Sequence, residues 1–160
     1  MHPRRRALTL AVVVAALAGC GVGTGGVEDG GDPPTGLAPG PTLYLVDDAG
    51  RLRPDQRDTG RLGTVLGAVQ LLLADADPAD PALHNEVPET ATRAVVEDTG
   101  DDVTIYLPLR GADLSAVAVD QVICTAAGVV AASGRDAGAV TITVHPTHGG
   151  PVTRACPVLG

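Results

Sequence analysis

The 160-residue chain contains no lysine, no phenylalanine and no tryptophan, and Tyr44 and Tyr106 are its only large aromatic side chains. Without lysine there is no Walker-type phosphate loop, no Schiff-base nucleophile and no lysine general base. Without Phe and Trp the core must be assembled from small aliphatic side chains. Serine is reduced to Ser115 and Ser133, and neither lies in a Gly-x-Ser-x-Gly setting. Positive charge is scarce: 11 arginines face 19 acidic residues, for a formal net charge of −8. Arg4, Arg5 and Arg6 precede Cys20 and every acid follows it, so the chain after Cys20 sets eight arginines against nineteen acids, a net −11. A field of that sign repels phosphate backbones and anionic head groups, and no basic stripe overrides it, so nucleic acid is not expected as a partner. Missing lysine beside abundant Ala, Gly, Val, Asp and Arg matches the output of GC-rich genomes such as those of actinobacteria.

What is present begins at the N-terminus. Arg4 to Arg6 lead into an apolar run from Ala7 to Ala18 broken by Thr9, the layout of a signal peptide. The run is about a dozen residues, short of the ~20 that a membrane-crossing helix needs. It closes on Leu17-Ala18-Gly19-Cys20, which resembles the lipobox of bacterial lipoproteins, whose cysteine receives a diacylglycerol and becomes the mature N-terminus. Two acyl chains suffice for stable anchoring, because each buried methylene is worth about 0.8 kcal/mol. The alternative is an ordinary secretory cleavage that leaves Cys20 unmodified. The paired arginines also suit a twin-arginine signal, so the export route stays open.

With Cys20 committed to lipid, Cys124 and Cys156 remain, in an oxidising compartment where disulfides persist. They are read as a bond, with two free thiols as the alternative. Closing a loop of about 33 residues stabilises a fold by roughly 3 to 4 kcal/mol on the chain-entropy model, which matters for a core without large aromatics.

Three regions follow: a signal peptide over 1–19, a Gly/Pro-rich flexible tether over 20–41 and a globular domain over 42–160. The tether has no apolar periodicity, and at ~5–6 Å × √n its rms span is roughly 25 Å, enough to lift a domain clear of the head groups. Gly21 to Gly26 superficially look like a nucleotide-binding glycine loop, but no strand precedes them and no amphipathic helix follows. In the domain, Thr42 to Asp47 reads as a strand closed by the turn-prone Asp47-Asp48-Ala49-Gly50. Leu62, Val65, Leu66, Val69, Leu72 and Leu73 form the stripe of an amphipathic helix, capped by Asp58 or Thr59 and stopped by Asp77-Pro78. Thr92 to Glu97 and Val103 to Leu109 make a hairpin through Asp98-Thr99-Gly100-Asp101, with Val103, Ile105 and Leu107 on one face. Asp113 caps a second helix running to about Ala131, apolar on most sides, whose valines leave some strand ambiguity. Ala139 to Val144 is the last clear strand, and Val152 to Val158 adds an edge. The order β-α-β-β-α-β predicts an α+β fold, a mostly antiparallel sheet with two helices packed on one face.

Over roughly Thr42 to Val144 the domain resembles the GerMN family, a small α/β module of spore-germination, sporulation and envelope lipoproteins in Gram-positive bacteria. The carriers are Leu43-Tyr44-Leu45-Val46, Gln70-Leu71-Leu72-Leu73-Ala74, Leu83-His84-Asn85-Glu86-Val87-Pro88 and Asp120-Gln121-Val122-Ile123-Cys124-Thr125. Asp75-Ala76-Asp77-Pro78 replaces the family's usual Gly-Pro after the first helix, and its frequent glycine closing the last strand is missing. The resemblance implies an interaction or assembly module without catalytic residues. Gln121 and Thr125 are expected as helix-to-sheet packing features.

Other constellations are weak. His145-Pro146-Thr147-His148 places two histidines on a turn with no third ligand beside them. Asp75, Asp77 and Asp80 lack the glycine and final bidentate glutamate of a calcium loop. Asp101 and Asp102 sit in the hairpin turn, where solvated charge is the default. No catalytic residue, metal site or cofactor is expected. The expected function is a non-enzymatic, lipid-anchored module on the extracytoplasmic face of the cell membrane. Its partners are the membrane, through the lipid on Cys20, and an envelope protein or cell-wall component. The alternative is a small-ligand or ion-binding lipoprotein. Replacing the anchor tests the first step: Cys20→Ala should release the protein or leave uncleaved precursor, and a variant processed and membrane-bound like wild type would sink the assignment.

Overall fold

The computed structural model describes residues 40–59, 63–75 and 77–159. The residues read as signal peptide, Cys20 with its expected lipid, and almost all of the expected tether lie outside those residues. The α+β class with two helices is observed. The elements run β1 (Thr42–Asp47), β2 (Leu52–Gln56), α1 (Val65–Leu73), β3 (Leu83–His84), β4 (Val95–Asp98), β5 (Asp102–Tyr106), α2 (Ala116–Ala132), β6 (Thr141–His145) and β7 (Val152–Thr153), with a 3-10 turn at Gly111–Asp113. The strands form two sheets, ordered β2-β1-β3 and β4-β5-β6-β7. The pairs β1–β2, β1–β3, β4–β5 and β6–β7 are antiparallel, while β5 and β6 run parallel because α2 carries the chain across between them.

Helix α2 is the central element. It packs against β1 of the first sheet, β6 of the second and α1, and 11 of its 17 residues are buried, as an all-round apolar helix requires. Around it sit Leu43 and Leu45 of β1, Leu72 and Leu73 of α1, Val103 and Ile105 of β5, and Ile142 and Val144 of β6. Each such side chain contributes about 1.5–3 kcal/mol on full burial. Two buried polar side chains on α2 have hydrogen-bond partners. Thr125 Oγ1 accepts the Tyr44 N–H at 2.9 Å. One turn earlier, Gln121 donates through Nε2 to Asn85 Oδ1 at 2.8 Å and accepts the Glu86 N–H at 3.0 Å. Asn85 then donates to the Leu72 carbonyl at 2.7 Å and so closes the end of α1. The helix-to-sheet role expected of Gln121 and Thr125 is observed for Thr125, whereas Gln121 binds the segment that follows β3.

Several boundaries differ from expectation. Neither Asp58 nor Thr59 caps α1; Thr64 does, its hydroxyl accepting the Gly67 N–H at 3.0 Å. The helix ends at Ala74, before Asp77-Pro78, where Asp75 takes a left-handed φ of 48°. Ser115, not Asp113, caps α2 through the Ala118 N–H at 3.0 Å, and Asp113 lies in the 3-10 turn. No local signal marks strand β2, because Arg53-Pro54-Asp55-Gln56 holds no β-forming residue. It forms because the Asp47–Gly50 turn reverses the chain, and because buried Asp55 binds Arg57 at 2.6 Å and the Ala79 N–H at 3.1 Å. The expected Val152 to Val158 edge shrinks to Val152–Thr153.

The Cys124–Cys156 disulfide is present, with Cα atoms 4.8 Å apart across a sequence separation of 32. It fixes the C-terminal segment to the middle of α2. Replacing both cysteines by serine should lower the unfolding free energy by about 3–4 kcal/mol. Urea unfolding without reductant measures this directly, and an unchanged midpoint would remove the bond from the fold's stability.

Candidate interaction surface

The period of two along a strand gives the second sheet two unlike faces. Val103, Ile105, Ile142 and Val144 point inward and are buried. The other face meets solvent, and the strand registers arrange it in rows. Val95 stands beside Tyr106, and Tyr106 beside His145. The next row runs Glu97, Thr104, Thr143 and Thr153. A third row pairs Asp102 with Thr141. In the first row Val95 is 57% exposed and Tyr106 39% exposed. The Tyr106 and His145 rings lie 5.1 Å apart between centroids, tilted by 31°. The Tyr106 hydroxyl donates to Glu97 Oε2 at 3.3 Å. That carboxylate's charge, with some burial and the hydrogen bond, raises the Tyr106 phenol above its ordinary value and keeps it protonated. The Thr143 and Thr153 hydroxyls share a hydrogen bond of 2.8 Å.

One end of this face is acidic. Glu97, Asp98, Asp101 and Asp102 surround the turn of the β4–β5 hairpin. Asp98 is turned toward the helices, where Arg135 binds its Oδ2 at 2.8 Å and the Gly100 N–H donates to its Oδ1 at 3.0 Å. Arg135 also reaches the Gly100 carbonyl. Glu97, Asp101 and Asp102 are exposed.

Among the cavities along the surface of the domain, two border Arg154 and the second sheet. One of about 280 Å³ is lined by Ala127, Ile142, Cys156 and Leu159 among others. The larger, about 440 Å³, lies at the start of α2 beside Leu114, Val119, Pro146 and Val152. Arg154 borders both, but its guanidinium is engaged by Asp120 at 2.7 Å and by the Ala116 carbonyl at 2.8 Å.

The remaining residues singled out from the sequence are scattered. His145 belongs to the outer face of β6, while His148 contacts Thr147 on the following turn. Asp75, Asp77 and Asp80 serve local structure: Asp75 Oδ1 accepts from Asn85, the Asp77 carbonyl accepts from Arg57, and Asp80 Oδ1 accepts the Ala82 N–H. Among the described residues no group of three or more His, Cys, Asp or Glu side chains is placed to hold a metal ion. Cys20 lies outside the described residues. The surface residues Val95, Glu97, Thr104 and Tyr106 were not singled out, although the alternation that buries Val103 and Ile105 implies an opposite face.

No family model, no curated protein and no solved structure matches the chain.

The Asp98–Arg135 pair makes the hairpin sensitive to acid. Hydrogen bonding from Arg135, then from the Gly100 N–H, holds the folded Asp98 carboxyl below its ordinary value. Ionised Asp98 therefore stabilises the fold at every pH above the unfolded value of about 3.9, and the contribution is lost as pH falls through the lower folded value. Asp98→Asn should lower the urea midpoint near neutral pH, and its gap from wild type should narrow as the pH falls through the lowered folded value of Asp98. A gap that persists unchanged in acid would show that the carboxylate charge is not what holds the hairpin.

Proposed function

We propose that the chain is a non-enzymatic interaction or assembly module of the cell envelope, lipid-anchored at Cys20 on the extracytoplasmic side, of the kind the GerMN resemblance implies. The observation that carries this reading is the outer face of the second sheet. A row of Val95, Tyr106 and His145 lies beside a threonine row on strands whose opposite side is locked into the core. Exposed aromatic and β-branched side chains on a rigid sheet suit recognition of a protein surface, because little side-chain or backbone entropy is lost on contact. The lipid would hold the domain at the membrane, and the tether would set its reach.

A second reading, a small-ligand-binding lipoprotein, is favoured by the 440 Å³ cavity at the start of α2, which falls in the volume range of ligand pockets. Its polar content is backbone, Ser115 and the already paired Arg154.

Photo-crosslinking in intact cells separates the two. A crosslinking side chain at Val95 or Thr104 should yield a discrete adduct with an envelope protein, and one at Asp48, on the far hairpin, should not. Absence of adducts from the sheet face, or the same adducts from every position, would overturn the interaction reading.

A further inference from the structure

Four strands border the two sheets, and they are not equally open to a partner. β2 carries Pro54 at its centre, β3 has two residues, and β7 has two residues directly after Pro151. Proline and brevity are the usual means by which sheet edges are closed to further pairing. β4, Val95–Asp98, is four residues long and contains neither proline nor glycine.

The hairpin fixes which backbone groups of β4 face outward. The Thr99 N–H donates to the Asp102 carbonyl at 3.0 Å, so that pair lies at a hydrogen-bonded position of the ladder. Alternation then turns Glu97 and Val95 toward β5, and leaves the N–H and C=O of Val96 and Asp98 pointing away from it. The Leu107 N–H, which donates to the His145 carbonyl at 2.9 Å, confirms the same alternation on the other side of β5. Among the described residues no strand pairs with the outer edge of β4.

We propose that β4 accepts an extended, basic segment of a partner polypeptide as a further strand of the second sheet. This deepens the interaction-module reading and rests on it. The outward groups of Val96 and Asp98 would supply up to four backbone hydrogen bonds, which hold an added strand whatever its sequence. Side chains supply the preference. An apolar residue of the incoming strand would cover Val95 and the rim of Tyr106. Next to it, lysine or arginine would meet the exposed carboxylates of Glu97, Asp101 and Asp102. Arg93 precedes the other end of β4, so the partner's cations belong at the hairpin end. Anionic wall polymers and a second copy of this net-negative chain both meet like charge at that end, which favours a basic polypeptide.

The test uses the mature, lipidated chain in neutral detergent micelles and a seven-residue peptide whose every second residue, along one face, is valine in one half and lysine or arginine in the other, with threonine at the positions between. Hydrogen exchange should slow at Val96 and Asp98 on binding. Glu97→Lys combined with Asp102→Lys should weaken affinity about tenfold, and raising the salt should weaken it for wild type more than for the variant. Both substituted side chains are exposed, and circular dichroism verifies that the variant stays folded. The same peptide with alternate backbone nitrogens methylated keeps its charge but cannot pair, and should bind at least about tenfold more weakly. Equal affinity for the methylated peptide, equal affinity for a glutamate-substituted peptide, protection mapped to another edge, or protection by an anionic polyphosphate polymer in place of the peptide would each overturn strand addition. If any of these occurs while sheet-face crosslinks persist in cells, strand addition fails and the interaction module stands; loss of the crosslinks as well removes both.

Discussion

The fold depends on one stripe of two polar side chains along its central helix. A helix enclosed by two sheets and a second helix has to be apolar nearly all round, yet Gln121 and Thr125 are wholly buried in α2. Thr125 answers a specific need. β3 pairs with β1 only at Val46 and Asp47, which leaves the Tyr44 N–H without a strand partner on that side, and the Thr125 hydroxyl takes it. An unmatched N–H at so buried a position would cost about 1–3 kcal/mol. Gln121 does the same for the Glu86 N–H and, through Asn85, for the exposed carbonyl end of α1. These bonds fix the rotation of α2 about its axis, which apolar packing alone leaves loosely determined.

Small side chains set how closely that helix approaches its neighbours. A Cβ built on Gly128 would lie 3.1 Å from the Tyr44 ring, so glycine is what allows α2 to lie against β1 at this depth. With Phe and Trp absent, close approach of backbones replaces bulk in filling the interior, and packing density is kept by alanine, valine and leucine. A core of this kind offers less burial per residue than one with large aromatics, and the Cys124–Cys156 bond adds stability by restricting the unfolded chain.

Much of this is legible in the sequence, and the illegible parts have physical reasons. β1, the β4–β5 hairpin, both helices and β6 are written in alternation, periodicity and turn residues, which act locally. β2 is not, because it is stabilised from a distance: Asp55 reaches the backbone of Ala79 and Asp80, some 24 residues on. β3 is two residues held by β1 and has no pattern of its own. The helix caps were misplaced by a few residues because Asp58, Thr59 and Thr64 all have capping chemistry, and only tertiary packing selects among them. Asn85 lay inside a segment noted for its resemblance to a family, but its partnership with Gln121 spans 36 residues. The candidate surface was implied by the alternation that buries Val103 and Ile105, yet its rows require the registers of β4, β5 and β6 together. The parallel β5–β6 register comes from the α2 crossover rather than from any local signal.

The disulfide and the open edge are connected through topology. Because α2 crosses between β5 and β6, those two strands are interior, and the borders of the second sheet must be β4 and β7. Cys156 lies three residues beyond the end of β7 and is bonded to the buried middle of α2. The chain therefore has to leave the sheet almost as soon as it has joined it, since a longer strand would carry Cys156 along the sheet and away from the helix. The bond that stabilises the core thus shortens one border, beside which Arg154, Ala155 and Cys156 line a cavity. β4 carries no such covalent constraint: Val96 packs on the core, α1 lies against the strand, and Arg135 holds the tip through Asp98. The asymmetry of the sheet, one border cut short between Pro151 and the disulfide and the other left with unpaired backbone, follows in part from where the two cysteines fall relative to the crossover helix.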